Sequence, residues 1–255
     1  FNTLLLFLSI LSCQPDYGMS YEVVEEIQPT DVVVDSFVQP SPPEKLDVLI
    51  VLDTSGSMND NFQQVSTGVE LLRGDIEKIT LDYKIGFINS GLVNPYYAGP
   101  YDYNSDSIDF LLAPYALGAD WYERAFQSMY EFVTNTPDGA AFFREDADKL
   151  IIFVSDEDEQ GSIPTSIFHD WLVEKFEKVQ HDVVAIVQIE NGECPLNWEY
   201  DIGQKYIDLV AYYGKVGIDI CSDWEAWLAD STFLVGELDY INLSQTPLED
   251  SLVVY

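Results

Sequence analysis

Positive charge is scarce in this chain. Its 255 residues include 11 Lys and Arg against 45 Asp and Glu, a formal net charge of −34. Neutralising phosphates takes clustered Lys and Arg, so a nucleic-acid binder is excluded. Docking on anionic lipid through a basic surface is excluded on the same ground. Histidine is almost missing: His169 and His181 are the two, and neither stands beside a nucleophile motif. No nucleophile–base pair is therefore legible, and the protein is not expected to be an enzyme. Cysteine is nearly as rare, with Cys13, Cys194 and Cys221 only. The apolar stretch at 1–10 is far shorter than the ~20 residues that span a bilayer. Apolar and aromatic residues are not lacking, at 47% and 14%, so a fully disordered chain is excluded. The length suits one large domain with extensions. The acidity has three readings: a salty or extracellular setting, repulsion that keeps the protein monomeric, or divalent-cation sites.

The chain ends carry their own signals. Phe1–Ile10 (FNTLLLFLSI) has the length of a signal-peptide apolar region and runs into Leu11-Ser12-Cys13. Neither Met nor a basic residue precedes it, so a few residues are expected to be missing upstream. Ile10-Leu11-Ser12-Cys13 resembles a bacterial lipobox, in which the Cys is lipidated after cleavage; the alternative is a secretory signal that happens to contain a Cys. The resemblance to lipoprotein sorting signals implies that Gln14 after the Cys permits outer-membrane delivery. Residues 14–44 are acidic and Pro-rich, a tether composition, with short β-like runs at Tyr21–Val24 and Val32–Val34. Residues 236–255 read as an extension, of which Leu248–Tyr255 looks like the start of a further β segment. With an export signal upstream, Cys194 and Cys221 are expected to form a disulfide rather than stay as buried thiols.

Between the ends, strand and helix patterns alternate. Leu46–Leu52, Tyr83–Ile88, Leu150–Val154 and Val183–Ile189 read as strands, three of them near-continuous apolar runs as strands buried on both faces should be. Phe62, Val65, Val69, Leu72, Ile76 and Ile79 mark an amphipathic helix. Trp121–Val133, ended by Thr136-Pro137-Asp138-Gly139, Ile167–Val179, Ile202–Tyr213 and Trp224–Leu228 read as further helices, and Val216–Ile220 as a short edge strand. Residues 90–118 read as a long insertion without a clear period. The pattern predicts an α/β fold over 45–235, a doubly wound, mostly parallel sheet with helices on both faces. Such sheets bind ligands at the carboxyl ends of their strands.

Hydroxyls and carboxylates gather at that edge. Asp53-Thr54-Ser55-Gly56-Ser57-Met58 follows the first strand, and Ser155-Asp156-Glu157-Asp158-Glu159 follows the third long one. Asp53, Ser55, Ser57 and Asp156 would make an all-oxygen site of the kind hard divalent cations choose. Gly56 lets the loop turn tightly enough to aim both serines at one place. The plainer reading is a strand-to-helix turn with a capping Ser.

Leu49-Ile50-Val51-Leu52-Asp53-Thr54-Ser55-Gly56-Ser57-Met58 resembles the metal-ion-dependent adhesion site (MIDAS) of von Willebrand factor A (vWA) domains. Asp35–Gln39, Phe142–Ala147, Val154–Glu159 and the Cys194–Cys221 segment extend the likeness, over roughly 35–235, to bacterial surface lipoproteins with that domain. The resemblance implies a vWA/Rossmann-like fold and a binding module whose Mg²⁺ (or Mn²⁺ or Ca²⁺) is completed by a partner's carboxylate. It implies direct ligation by Ser55 and Ser57, with Asp53 and Asp156 acting largely through water. The family's Thr in the next loop is missing: Ala116-Leu117-Gly118-Ala119-Asp120 offers only Asp120 as a substitute, which would favour a bare cation and disfavour an acidic ligand.

Tyr96, Tyr97, Tyr101, Tyr103 and Tyr115 of the insertion are expected to border the ligand edge and serve recognition, or else to pack on themselves. Glu157, Asp158 and Glu159 could hold a second ion such as Ca²⁺, although an acidic run is more often a solvated loop. His169 is expected on the surface of its helix. Taken together, the expected protein is a monomeric, non-enzymatic adhesion module, exported and lipid-anchored at the outer membrane, cell surface or periplasm. It would bind a protein or polysaccharide, no nucleic acid, and membrane only through its lipid. The alternative is a structural or assembly subunit with a vestigial metal site.

Overall fold

A computed structural model describes residues 42–91, 95–190, 192–194 and 201–228. The expected export signal with Cys13, the tether up to residue 41 and the C-terminal extension lie outside the described residues. Six strands form one sheet: β1 (Leu46–Leu52), β2 (Tyr83–Asn89), β3 (Tyr97–Tyr101), β4 (Asp148–Ser155), β5 (His181–Val187) and β6 (Ile218–Asp219). Their order is β3-β2-β1-β4-β5-β6, all parallel except β3. The sheet is thus mostly parallel and doubly wound, as the apolar strands predict.

Alternation along the strands feeds two cores. Val48, Ile50 and Leu52 of β1 join Ile152 and Val154 of β4 on one face. There they meet α1 (Phe62–Ile79), α2 (Ser107–Ala116) and α7 (Trp224–Leu228). Leu49 and Val51 turn to the other face with Ile151 and Phe153. That side is covered by α3 (Ala125–Asn135), α4 (Pro137–Phe142), α5 (Thr165–Lys175) and α6 (Gln204–Ala211). Every residue of β1 is buried, so no strand position is free to be polar except at its ends.

Three segments differ from their sequence pattern. The 90–118 insertion is not structureless: it supplies β3, antiparallel to β2, and α2. An Asp106–Asp109 capping box starts α2, but its outward side is apolar, which hides the helical period in the sequence. The helix expected from Trp121 begins at Ala125, because Asp120 and Arg124 are held by neighbouring loops. Thr136-Pro137-Asp138-Gly139 ends α3 as expected, with Thr136 extended, but it also opens a further short helix: Thr136 Oγ1 accepts the Gly139 N–H at 3.0 Å and starts α4 with Pro137 in its first turn. No helix among the described residues is long and apolar enough to cross a membrane.

Candidate metal centre

Because β1 and β4 are adjacent and parallel, the loops that follow them leave the sheet side by side at its carboxyl edge. Asp53 closes the first loop on itself, with Oδ1 accepting the Ser55 N–H at 2.8 Å. Its Oδ2 accepts from Ser155 Oγ at 2.7 Å, tying the two loops together. Met58, fully buried, pins the far side of the turn. Ser55 Oγ and Ser57 Oγ then stand 2.9 Å apart, and Ser57 Oγ donates to Asp156 Oδ1 at 3.2 Å. The structure thus brings Ser55, Ser57 and Asp156 into one cluster, with Asp53 behind it.

The third loop adds carboxylates. Asp120 N donates to Thr54 O at 3.3 Å, Arg124 N to Ser90 O at 2.9 Å, and Gln160 N to Glu123 O at 2.6 Å. Asp120 lies against Gly91, where a β-carbon would collide with its carboxyl group. Its Oδ1 accepts the Trp121 N–H at 2.6 Å, so the expected stand-in for the family's Thr is half engaged by its own loop. Glu123, which the sequence pattern did not single out, is buried at the same edge. Nothing in the sequence marks it except its place after Asp120.

The electrostatics are those of uncompensated carboxylates. Burial, and then the charge of Asp53, pushes Asp156 up to about 7. Burial, followed by Asp53, Glu157 and Asp156, pushes Glu123 to about 7 as well. Asp53 is raised by burial, against the hydrogen bonds from Ser155 and Ser55. Among the described residues no Lys, Arg or His forms an ion pair with Asp53, Asp120, Glu123 or Asp156. Asp156 Oδ2, Asp120 Oδ2 and Thr54 Oγ1 are buried without a hydrogen-bond partner. Orphaned buried oxygens are costly unless a cation or water meets them. Hydroxyls plus carboxylates at this spot fit a hard divalent cation, with Ser55 and Ser57 placed to hold it directly and Asp53 and Asp156 largely through water.

The tightest cluster of possible ligands among the described residues lies elsewhere: Cys194, Asp219 and Cys221. Cys194 and Cys221 form the expected disulfide, S–S 2.03 Å, and a disulfide has no thiolate to offer a metal. Asp219 instead accepts the Cys221 N–H at 3.1 Å.

The run after Asp156 is not a solvated loop. Glu159 is buried, its Oε2 accepting Phe126 N–H at 3.0 Å and its Oε1 Gly161 N–H at 2.7 Å. Asp158 accepts Lys205 N–H at 2.8 Å. Both carboxylates meet the positive first turns of α3 and α6, which leaves little for a second ion. The insertion's tyrosines are also redistributed. Tyr97 packs on Phe132 at 5.1 Å and Tyr101 on Phe110 at 5.2 Å, inside the two cores. Because β3 runs antiparallel, Tyr103 follows its end at the amino edge, beside Asp82 and Lys84. Tyr96 remains exposed near the metal edge beside Gly118, while Tyr115 meets Phe62 edge-on at 5.6 Å. Trp121, 82% exposed next to Asp120, and Tyr122 take the place expected of the others. His169 is half-buried and stacks on Tyr212 at 4.2 Å.

The sequence matches no family model and no curated protein. Solved structures are similar in fold. Proximal thread matrix protein 1 from the mussel byssus, in its second crystal form, has a TM-score of 0.54 at 15% identity, over 77% of this chain and 48% of that one. The same protein with a zinc-occupied MIDAS motif has a TM-score of 0.51 at 13% identity, over 74% and 46%. A von Willebrand factor type A protein from Catenulispora acidiphila follows at 0.46 and 15%, over 74% and 42%. The chain spans about half the length of these structures. The likeness is one of fold: a mostly parallel, doubly wound α/β sheet of the von Willebrand factor A/Rossmann-like type.

Proposed function

We propose that the chain is a non-enzymatic binding module that recognises its partner through a divalent cation at the carboxyl edge of the sheet. The observation that carries this is the Ser55–Ser57–Asp156 cluster with the buried, unpartnered Asp156 Oδ2. Mg²⁺ is the expected ion, with Mn²⁺ or Ca²⁺ as substitutes. The zinc-occupied MIDAS of the mussel protein supports the reading. Ser55 and Ser57 would hold the ion directly, Asp53 and Asp156 largely through water. A carboxylate from a protein or polysaccharide would complete the shell, with Trp121, Tyr122 and Tyr96 flanking it. The module would act as a monomer on the cell surface, outer membrane or periplasmic face, anchored by lipid at Cys13.

One observation favours a second reading, a structural or assembly subunit with a vestigial site. The loop from Ala116 to Asp120 lacks the family's Thr and carries only Asp120 in its place, and the similar mussel structure is named as a thread matrix protein. Titrating the full chain with Mn²⁺, followed by calorimetry and Mn²⁺ paramagnetic resonance, decides between them. One bound Mn²⁺ per chain, lost in Asp53→Ala, is expected; no uptake at millimolar Mn²⁺ would sink the cation reading.

A further inference from the structure

The outward side of α2 is apolar, and no described element covers it. Ile108, Leu111, Leu112 and Tyr115 fall at i, i+3, i+4 and i+7, one stripe, each between 36% and 56% exposed. The opposite side, with Phe110, Ala113 and Pro114, is buried against α1 and β3. A surface helix normally turns its apolar stripe inward. Here a second stripe of helical period faces out, and a contiguous patch of that kind marks an interaction site.

Charge identifies the occupant. No Lys, Arg or His occurs between Lys84 and Arg124, while Asp102, Asp106 and Asp109 are exposed beside the stripe. Arg73 of α1 reaches Ser107 Oγ at 3.1 Å but is paired with Glu70 and Glu77. The surroundings are therefore acidic and uncompensated. Residues 1–41 and 229–255 contain no Lys, Arg or His either, and a second copy also carries −34. Both would bring like charge to the stripe, which costs association. We infer that α2 is a docking surface for a basic amphipathic helix of another protein, its apolar face on Ile108, Leu111, Leu112 and Tyr115 and its Lys or Arg side chains toward the flanking aspartates. Helix-on-helix recognition through i, i+3, i+4, i+7 anchors is a recurrent mode. This surface needs no cation, and none of its four apolar side chains is among the groups assigned to the metal centre.

The test uses the full chain in EDTA, which silences the metal centre, and a short labelled peptide of Leu and Lys with every Leu on one helical face. Fluorescence polarisation is expected to show binding that weakens at least tenfold when salt is raised to about 0.5 M. A peptide of the same composition in scrambled order should bind at least about tenfold more weakly, and so should the parent peptide to Ile108→Lys/Leu112→Lys. Equal affinity for ordered and scrambled peptides, or an unaffected variant, would overturn the proposal. A variant that melts well below the parent would show that this chain already covers the stripe, and a parent dimer that the variant abolishes would show a second copy there. Either result would overturn it too.

Discussion

The two ends of β1 each bury a carboxylate, and they treat it in opposite ways. At the amino end, Asp47 lies directly across the β1–β4 ladder from Lys149, whose Nζ stands 3.0 Å away. Arg144 adds its Nε at 2.7 Å and its backbone N–H at 2.7 Å. At the carboxyl end of the same two strands, Asp53 meets Ser155 where Asp47 met Lys149. The fold thus accepts a buried carboxylate at either end, but its own cations close only one. A hydroxyl can orient a carboxylate and cannot neutralise it, so the charge at the carboxyl end is left for something external to balance. In a chain with 11 basic residues, two are engaged by Asp47 and none of the described ones by Asp53 or Asp156.

Removing one partner from each end should give unequal effects, and the largest is at Lys149. Lys149→Met leaves Asp47 with half its compensation and strands the carbonyls of Arg144 and Ala147, which Nζ also bridges. A loss of about 3–5 kcal/mol is expected from urea unfolding in EDTA, the usual result of breaking a buried pair from one side. Asp53→Asn under the same conditions should cost about 1 kcal/mol or less, because it removes an uncompensated charge as well as two hydrogen bonds. Equal losses would erase the distinction between the ends.

The second comparison adds the ion. With free Mg²⁺ at a hundred times its Kd, the parent should gain about 2.7 kcal/mol. Lys149→Met should keep that gain and Asp53→Asn should lose it, as read from the shift in melting temperature between EDTA and Mg²⁺. A gain that survives Asp53→Asn would place the ion elsewhere.

Legibility in the sequence followed periodicity and local spacing. The buried strands announced themselves because residues such as Val48 and Leu49 face different cores, so neither can be polar. Asp53, Ser55 and Ser57 were legible because one tight turn carries them, and Asp156 because strand order alone puts its loop next to theirs. Cys194 and Cys221 form the disulfide that their scarcity led us to expect. What stayed hidden depends on long-range packing. Glu123 becomes a site group through burial against loops distant in sequence, and Glu159 looked solvated until α3 and α6 offered their first turns. The tyrosines of the insertion were assigned together, yet the reversal of β3 sends Tyr97 and Tyr101 inward and Tyr103 to the opposite edge. The outward stripe of α2 masked its own helix, since a period seen from both sides looks like none.

The smallest expected effect is in the pH dependence of the metal-free protein, and its sign follows from the carboxyl edge. Asp156, Glu123 and Glu159 rise to about 7 in the folded chain, from ordinary values of 3.8 and 4.5. Between about 4.5 and 7 the folded state therefore holds more protons than the unfolded one, and stability falls as pH rises through that window. His181 acts against this: burial lowers it from 6.5, so below that value the unfolded state takes the extra proton. Three raised carboxyls outweigh one histidine, and unfolding in EDTA should be harder at pH 5.5 than at pH 7.5. At the amino end, burial lowers Lys149 from 10.5 against the attraction of Asp47. Saturating Mg²⁺ should flatten or reverse the slope, because a cation at the edge stabilises the ionised carboxylates that burial alone disfavours. A protein more stable at pH 7.5 than at 5.5 in EDTA would mean that the carboxyl edge is already neutralised from within, and the two ends of β1 would then be alike.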